Sequence, residues 1–176
     1  GGSRMNFGND VVDKYFKREI DRAELSAQLG TRENFFVDSL IDEMRMCAEV
    51  RDTLRFEYLV YALFVWDEDC NSISELDYYI DDINSMLLMD WHTQHENLVA
   101  IIQKVADAGS MEYLEKAINL DLKYLEWDDN HSFEIKCVRA IYHIGKSDAK
   151  PYLERISVSS VECIREMAVR QMGKIE

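Results

Sequence analysis

The sequence predicts an all-α fold, a single-domain stack of antiparallel helical hairpins. Three observations predict it. Apolar residues recur at spacings of three and four nearly everywhere, while β-branched alternation is scarce. Helix breakers are few, with one proline and seven glycines in 176 residues. The second half of the chain also repeats itself, and repeated helical units bury their apolar faces only by stacking on one another.

The periodicity places helices at 9–28, 33–50, 54–67 and 74–89 in the first half. In the second half it places them at 93–107, 110–122, 131–145, 148–157 and 160–174. Thr93 and Glu96 fit a T-x-x-E capping box at the start of the 93–107 helix. Trp91, His95, Leu98, Ile102 and Val105 form its apolar stripe. Gly145 is placed to end the 131–145 helix in the left-handed conformation. Ser147 can cap the following helix, with Asp148 at its positive end and Pro151 in its first turn.

The repeat is read by overlay. Residues 98–118 lie over 137–157, so that Val99 matches Val138, Ile102 matches Ile141 and Val105 matches Ile144. Tyr113-Leu114-Glu115-Lys116 then matches Tyr152-Leu153-Glu154-Arg155. A third, partial copy sets Ala168 on Ala140, Val169 on Ile141 and Gly173 on Gly145. Around VRAIYHIGKSDAKPYLERI (138–156) the chain resembles HEAT-like repeats, and the resemblance implies a right-handed stack of helix pairs. The expected organisation is a tag remnant at 1–4 with Met5 as the native start, an N-terminal helical half at 5–85, and a HEAT-like half at 86–176 of the same domain.

Charge limits the function classes. There are 34 acids against 20 bases, a net charge of −14. The excess is concentrated in the first half, and no Lys or Arg occurs between Arg55 and Lys104. Such a surface repels phosphate backbones, which argues against direct nucleic-acid binding, and attracts a basic protein. No run is apolar enough to cross a membrane and no secretory signal is visible, so a cytoplasmic protein is expected. Cys47, Cys70, Cys137 and Cys163 are too scattered for a zinc knuckle or a CxxC pair, and reduced thiols are the simpler reading.

The stretch MDWHTQHENLV (89–99) offers the one local constellation of metal-ligating residues. His92 and His95 share a helical face, with Glu96 one turn beyond His92. The spacing is not that of the HExxH zincins, and further ligands would have to come from elsewhere, such as EWDDNH at 126–131. The apolar stripe favours packing instead, with His95 turned inward and His92 tying a helix corner to Asp128 or Asp129. No Gly-rich phosphate loop, nucleophile elbow or local nucleophile–base pair is present, so no enzyme and no cofactor are expected.

DWHTQHE (90–96), YLEWDDN (124–130), Lys136 and Ile144-Gly145 together resemble a bacterial HEAT-like family. That family includes immunity proteins of contact-dependent inhibition and polymorphic-toxin systems. The likeness covers about residues 86–176, and Trp127 departs from it by standing where the pattern would place a tyrosine. It implies a partner that neutralises a secreted toxin and has no chemistry of its own. The acidic stretches agree on separate grounds. Asp77, Asp81 and Asp82, with Tyr78 beside them, have the composition to grip a Lys/Arg-rich protein. Glu126, Asp128 and Asp129 form a second cluster, which also reads as a device at a helix N-terminus. The expected function is therefore binding of a basic toxin domain. A general HEAT-type scaffold and a metal-dependent enzyme using His92, His95 and Glu96 are the alternatives.

Overall fold

The computed structural model describes residues 7–30, 33–70 and 76–175. The expected tag at 1–4 and Glu75 lie outside them, as do the side chains of Asp67, Glu68, Asp69 and Cys70. Every regular element among the described residues is helical, so the fold is all-α. The chain forms two compact units, Gly1–Leu76 and Asp77–Glu176.

The first unit contains α1 (Phe7–Phe16), α2 (Arg22–Gly30), α3 (Glu33–Val50) and α4 (Thr53–Cys70). The expected single helix at 9–28 is broken. Arg18 takes a left-handed φ of 62°, and the Glu19 N–H closes back on the Lys14 carbonyl at 2.8 Å. Asp21 then caps α2, its Oδ1 accepting the Glu24 N–H at 2.8 Å. The turn from α3 to α4 uses the same parts. Arg51 has φ 56°, the Asp52 N–H reaches the Cys47 carbonyl at 3.0 Å, and Asp52 Oδ1 accepts the Arg55 N–H at 3.2 Å. Helix α4 is apolar on several sides and packs on α1, α2 and α3. Phe56, Leu59, Leu63 and Trp66 from α4 meet a core completed by Leu25, Val37, Leu40, Ile41 and Met44, all buried.

The second unit opens with a 3-10 turn, Asp77–Tyr79, leading into α5 (Ile80–Leu87). Then come α6 (His95–Val105), α7 (Ser110–Ile118), α8 (Ser132–Gly145), α9 (Lys150–Ile156) and α10 (Glu162–Met172). Helix α8 is central and packs on α6, α7, α9 and α10. Its Phe133, Cys137, Val138, Ala140 and Ile141 are all buried. The unit begins before residue 86 because α5 packs on both α6 and α7. Between α5 and α7 the buried Ser110 hydroxyl donates to Asn84 Oδ1 at 2.8 Å.

Burial follows the internal repeat. Val99 and Val138, Ile102 and Ile141, and Leu114 and Leu153 are buried as matched pairs, while Val105 and Ile144 are both half-buried. Arg155 holds Glu115 through two hydrogen bonds, at 2.8 and 3.0 Å, linking α9 to α7. The third copy follows the pattern only in part. Ala168 is buried like Ala140, but Val169 is 53% exposed where Ile141 is fully buried.

Three local expectations are corrected. Gly145 is not left-handed, since its φ is −94°, and Lys146 after it takes the positive φ of 51°. The glycine answers a close approach instead, because a Cβ there would lie 2.5 Å from Met111 Sδ and 3.1 Å from Ala149 Cβ. Ser147 does not cap α9. It lies in a 3-10 turn, Lys146–Ala149, and α9 starts from Ala149 with no side-chain cap, although Pro151 does fall in its first turn. The 93–107 helix starts at His95 from Gln94, again with no side-chain cap, so Thr93 and Glu96 form no capping box.

The burial pattern separates two positions that the repeat equates. Ile141→Ala is expected to cost about 2–5 kcal/mol for the cavity it leaves, and Val169→Ala within about 0.5 kcal/mol. Urea denaturation of the two variants against the parent checks this; equal losses would contradict the packing described.

Candidate functional site

The loop between α5 and α6 begins from an ordinary problem, because the last carbonyls of a helix have no partner within it. Backbone N–H groups of Leu88 and Met89 meet part of it, closing on the Ser85 and Met86 carbonyls at 3.2 Å, and two imidazoles add donors at Met86 and at Met89 just past the helix. His92 Nε2 lies 2.8 Å from the Met86 carbonyl, and His95 Nε2 lies 2.6 Å from the Met89 carbonyl. A carbonyl only accepts, so both rings carry their proton on Nε2. The Nδ1 atoms are then acceptors. His92 Nδ1 takes the Gln94 N–H at 3.0 Å, and His95 Nδ1 takes the Tyr124 hydroxyl at 2.8 Å.

The rings stack, with centroids 4.1 Å apart and planes at 16°. The Trp91 ring meets His92 edge-on at 5.1 Å, and Phe133 meets His95 edge-on at 5.8 Å. Both histidines are buried. Burial first, and the neighbouring imidazole second, push the His92 pKa down to about 4. Burial also lowers His95. Tyr124 is pushed up to about 12, again mainly by burial. The expected tie from His92 to Asp128 or Asp129 is replaced by bonds to Met86 and Gln94. All four ring nitrogens are engaged, and Glu96 pairs with Lys136 of α8 at 3.3 Å, so this geometry is that of a folded corner.

The acidic stretches are arranged differently from a single charged helix face. Asp77 and Tyr78 lie in the 3-10 turn, while Asp81 and Asp82 stand in the first turn of α5, where the helix dipole favours negative charge. Asp77 and Asp81 are exposed and Asp82 is half-buried. The tyrosines divide sharply: Tyr79 is buried, whereas Tyr78 is 84% exposed.

Glu126, Asp128 and Asp129 come together around a cavity of about 210 Å³, which Asp121 and Glu134 also line. Asp128 is turned to local work. Its carboxylate accepts the N–H groups of Asn130 and Ser132 at 3.0 and 3.2 Å. Hydrogen bonding from the Ser132 side chain, chiefly, holds its pKa below the usual carboxylate range. Glu126 and Asp121 share Lys123, at 3.0 and 2.8 Å, and this double pairing holds the lysine pKa above its usual value. Asp129 is exposed. Trp127 stands between Glu126 and Asp128 and is 77% exposed. It was not among the expected contact residues, although an aromatic flanked by acids in EWDD was a readable signal.

Fold and surface together define an all-α protein whose second unit presents two acidic stretches, each carrying one exposed aromatic side chain. No family model matches the chain, and neither a curated protein nor a solved structure matches it. Among the described residues no group of three or more metal-ligating side chains is poised around a common point, and no helix is long and apolar enough to cross a membrane. Cys47, Cys137 and Cys163 are free thiols, and burial pushes Cys47 up to about 11 and holds Cys137 well above the ordinary thiol range.

The histidine corner makes stability depend on pH. The unfolded chain takes up protons on these imidazoles from about pH 6.5 downwards, whereas folded His92 resists until about pH 4. Stability should therefore be unaffected by His92 above pH 6.5 and fall as pH drops, by roughly 3 kcal/mol across that window. Urea melts from pH 7 to 5 should show a shallower fall for His92→Gln than for the parent. Tyr124→Phe, which leaves His95 Nδ1 without its donor, should cost about 1–3 kcal/mol at pH 7.

Proposed function

We propose that this protein acts by binding, as an immunity protein that neutralises a cognate bacterial toxin domain with a basic surface. The observation that carries the reading is the pairing of exposed aromatics with carboxylates: Tyr78 with Asp77, Asp81 and Asp82, and Trp127 with Glu126 and Asp129. Burying an aromatic ring supplies contact energy, and large exposed aromatics are over-represented among interface hot spots. The surrounding carboxylates supply orientation and speed of encounter with a positively charged partner. A basic nuclease domain is the partner class that fits best, because its cleft is shaped and charged for an anionic polymer. Occupying that cleft would exclude substrate sterically and electrostatically, with no chemistry required of the inhibitor.

The net charge of −14 supports the same direction and argues against nucleic acid as the direct ligand. The repeated helical hairpins support a HEAT-type architecture, for which a general scaffold protein is the second reading. A metal-dependent enzyme at His92, His95 and Glu96 finds no support, because each ring nitrogen is already hydrogen-bonded and Glu96 is ion-paired. A cytoplasmic site of action belongs to this proposal, since a nuclease toxin must be met where its substrate is.

The test is to look in the neighbouring reading frames for a secreted protein with a basic C-terminal domain, and to co-express that domain with this protein, scored by growth and by binding kinetics. The complex should form, and its association rate should fall as salt rises. Trp127→Ala should weaken it by about 2 kcal/mol or more, roughly thirtyfold in Kd, with little change in melting temperature. A salt-independent association rate together with an unaffected Trp127→Ala complex would remove the acid–aromatic mechanism.

A further inference from the structure

The first unit carries a different feature at the corner where α3 turns into α4. A groove of about 310 Å³ opens there, walled by Met46 and Val50 and floored by the buried Cys47. Met46 is 46% exposed and Val50 74%, and Leu54, the second residue of α4 and outside the lining, is 56% exposed. Three large aliphatic side chains are thus presented to solvent within nine residues of chain. The volume sits at the low end of ligand pockets, about 300–1,000 Å³, and suits one or two inserted side chains.

The charges around the groove are unequal. Glu43, Glu49 and Asp52 line it against a single base, Arg55. Arg55 is committed to Glu43, at 3.5 Å. The exposed Arg51 stands at the turn itself, outside the lining. Helix α3 has no basic residue in its last turn, where one would complement the negative end of the dipole. Glu49, Asp52 and the final carbonyls of α3 therefore give the rim a negative field.

From this we infer that the α3–α4 corner is a docking groove for a partner segment that inserts a large apolar side chain and flanks it with lysine or arginine. The apolar walls call for the anchor and the rim calls for the bases. A second copy of this chain is disfavoured as the occupant, because two molecules at −14 repel. The inference rests on the first unit alone and stands whether or not the acid–aromatic stretches bind a toxin.

The probe is a short amphipathic helical peptide of leucine and lysine, with glutamate-for-lysine and serine-for-leucine versions as controls. Binding to the full chain is followed through methionine methyl resonances. The Met46 methyl should shift on titration, and both control peptides should leave it in place. Val50→Ser should raise the Kd about tenfold, and Glu49→Lys several-fold. Both positions are exposed, so unchanged melting curves will show that the fold is kept. Trp127→Ala should leave peptide binding unaltered, which separates this groove from the surface of the second unit. An unmoved Met46 methyl at saturation would overturn the inference, as would equal binding of the glutamate peptide or full affinity in the serine variant. Concentration-dependent dimerisation through Met46 without peptide would overturn it in favour of a second copy.

Discussion

Two neutral imidazoles carry the chain around the corner between α5 and α6, and the arrangement of the second unit depends on them. The Met86 carbonyl in the last turn of α5, which also accepts the Met89 N–H, and the Met89 carbonyl just past the helix each receive an imidazole N–H from a buried ring. A lysine could donate there, but only by bringing a charge into an apolar site. Neutral imidazole supplies one donor and one acceptor on a flat, stackable ring. The acceptor side then receives Gln94 in the loop and Tyr124 from beyond α7. One small cluster thus fixes the end of α5, the start of α6 and the loop leading towards α8, with Phe133 of α8 against its edge.

The proposed contact surfaces lie on segments next to this corner in the chain. Tyr78 precedes α5, and Trp127 follows Tyr124 by three residues. The carboxylates around them do unequal jobs. Asp81 and Asp82 sit where a helix start welcomes negative charge, and Asp128 is held by the N–H groups ahead of α8. Asp77 and Asp129 are exposed. Sequence composition cannot sort these roles, because capping and recognition draw on the same residue types.

Legibility differed by level. Helical content and the paired burial of Val99 with Val138 or Leu114 with Leu153 follow from periodicity, since buried faces must be apolar at helical spacing. The burial of His95 was readable from its place in the stripe, but its partners were not, because Met89 offers only a carbonyl and Tyr124 is 29 residues away. Helix ends were the least readable. Arg18, Arg51, Ala106, His131 and Lys146 all take positive φ, and none is glycine, the residue from which such turns are usually inferred. Asp21 ahead of Glu24 was a visible cap signal that the apolar periodicity of 9–28 concealed. Gly145 carried a real constraint of the wrong kind: spatial clearance for Met111 in place of backbone freedom.

The bond from Ser110 to Asn84 acts as a key between α5 and α7. Apolar side chains tolerate small sliding, because one methyl contact replaces another at similar energy. A hydroxyl and an amide sealed from water do not, since a shift of one residue would strand both. That polar contact therefore favours one setting of α5 against α7 over others that apolar contact alone would tolerate.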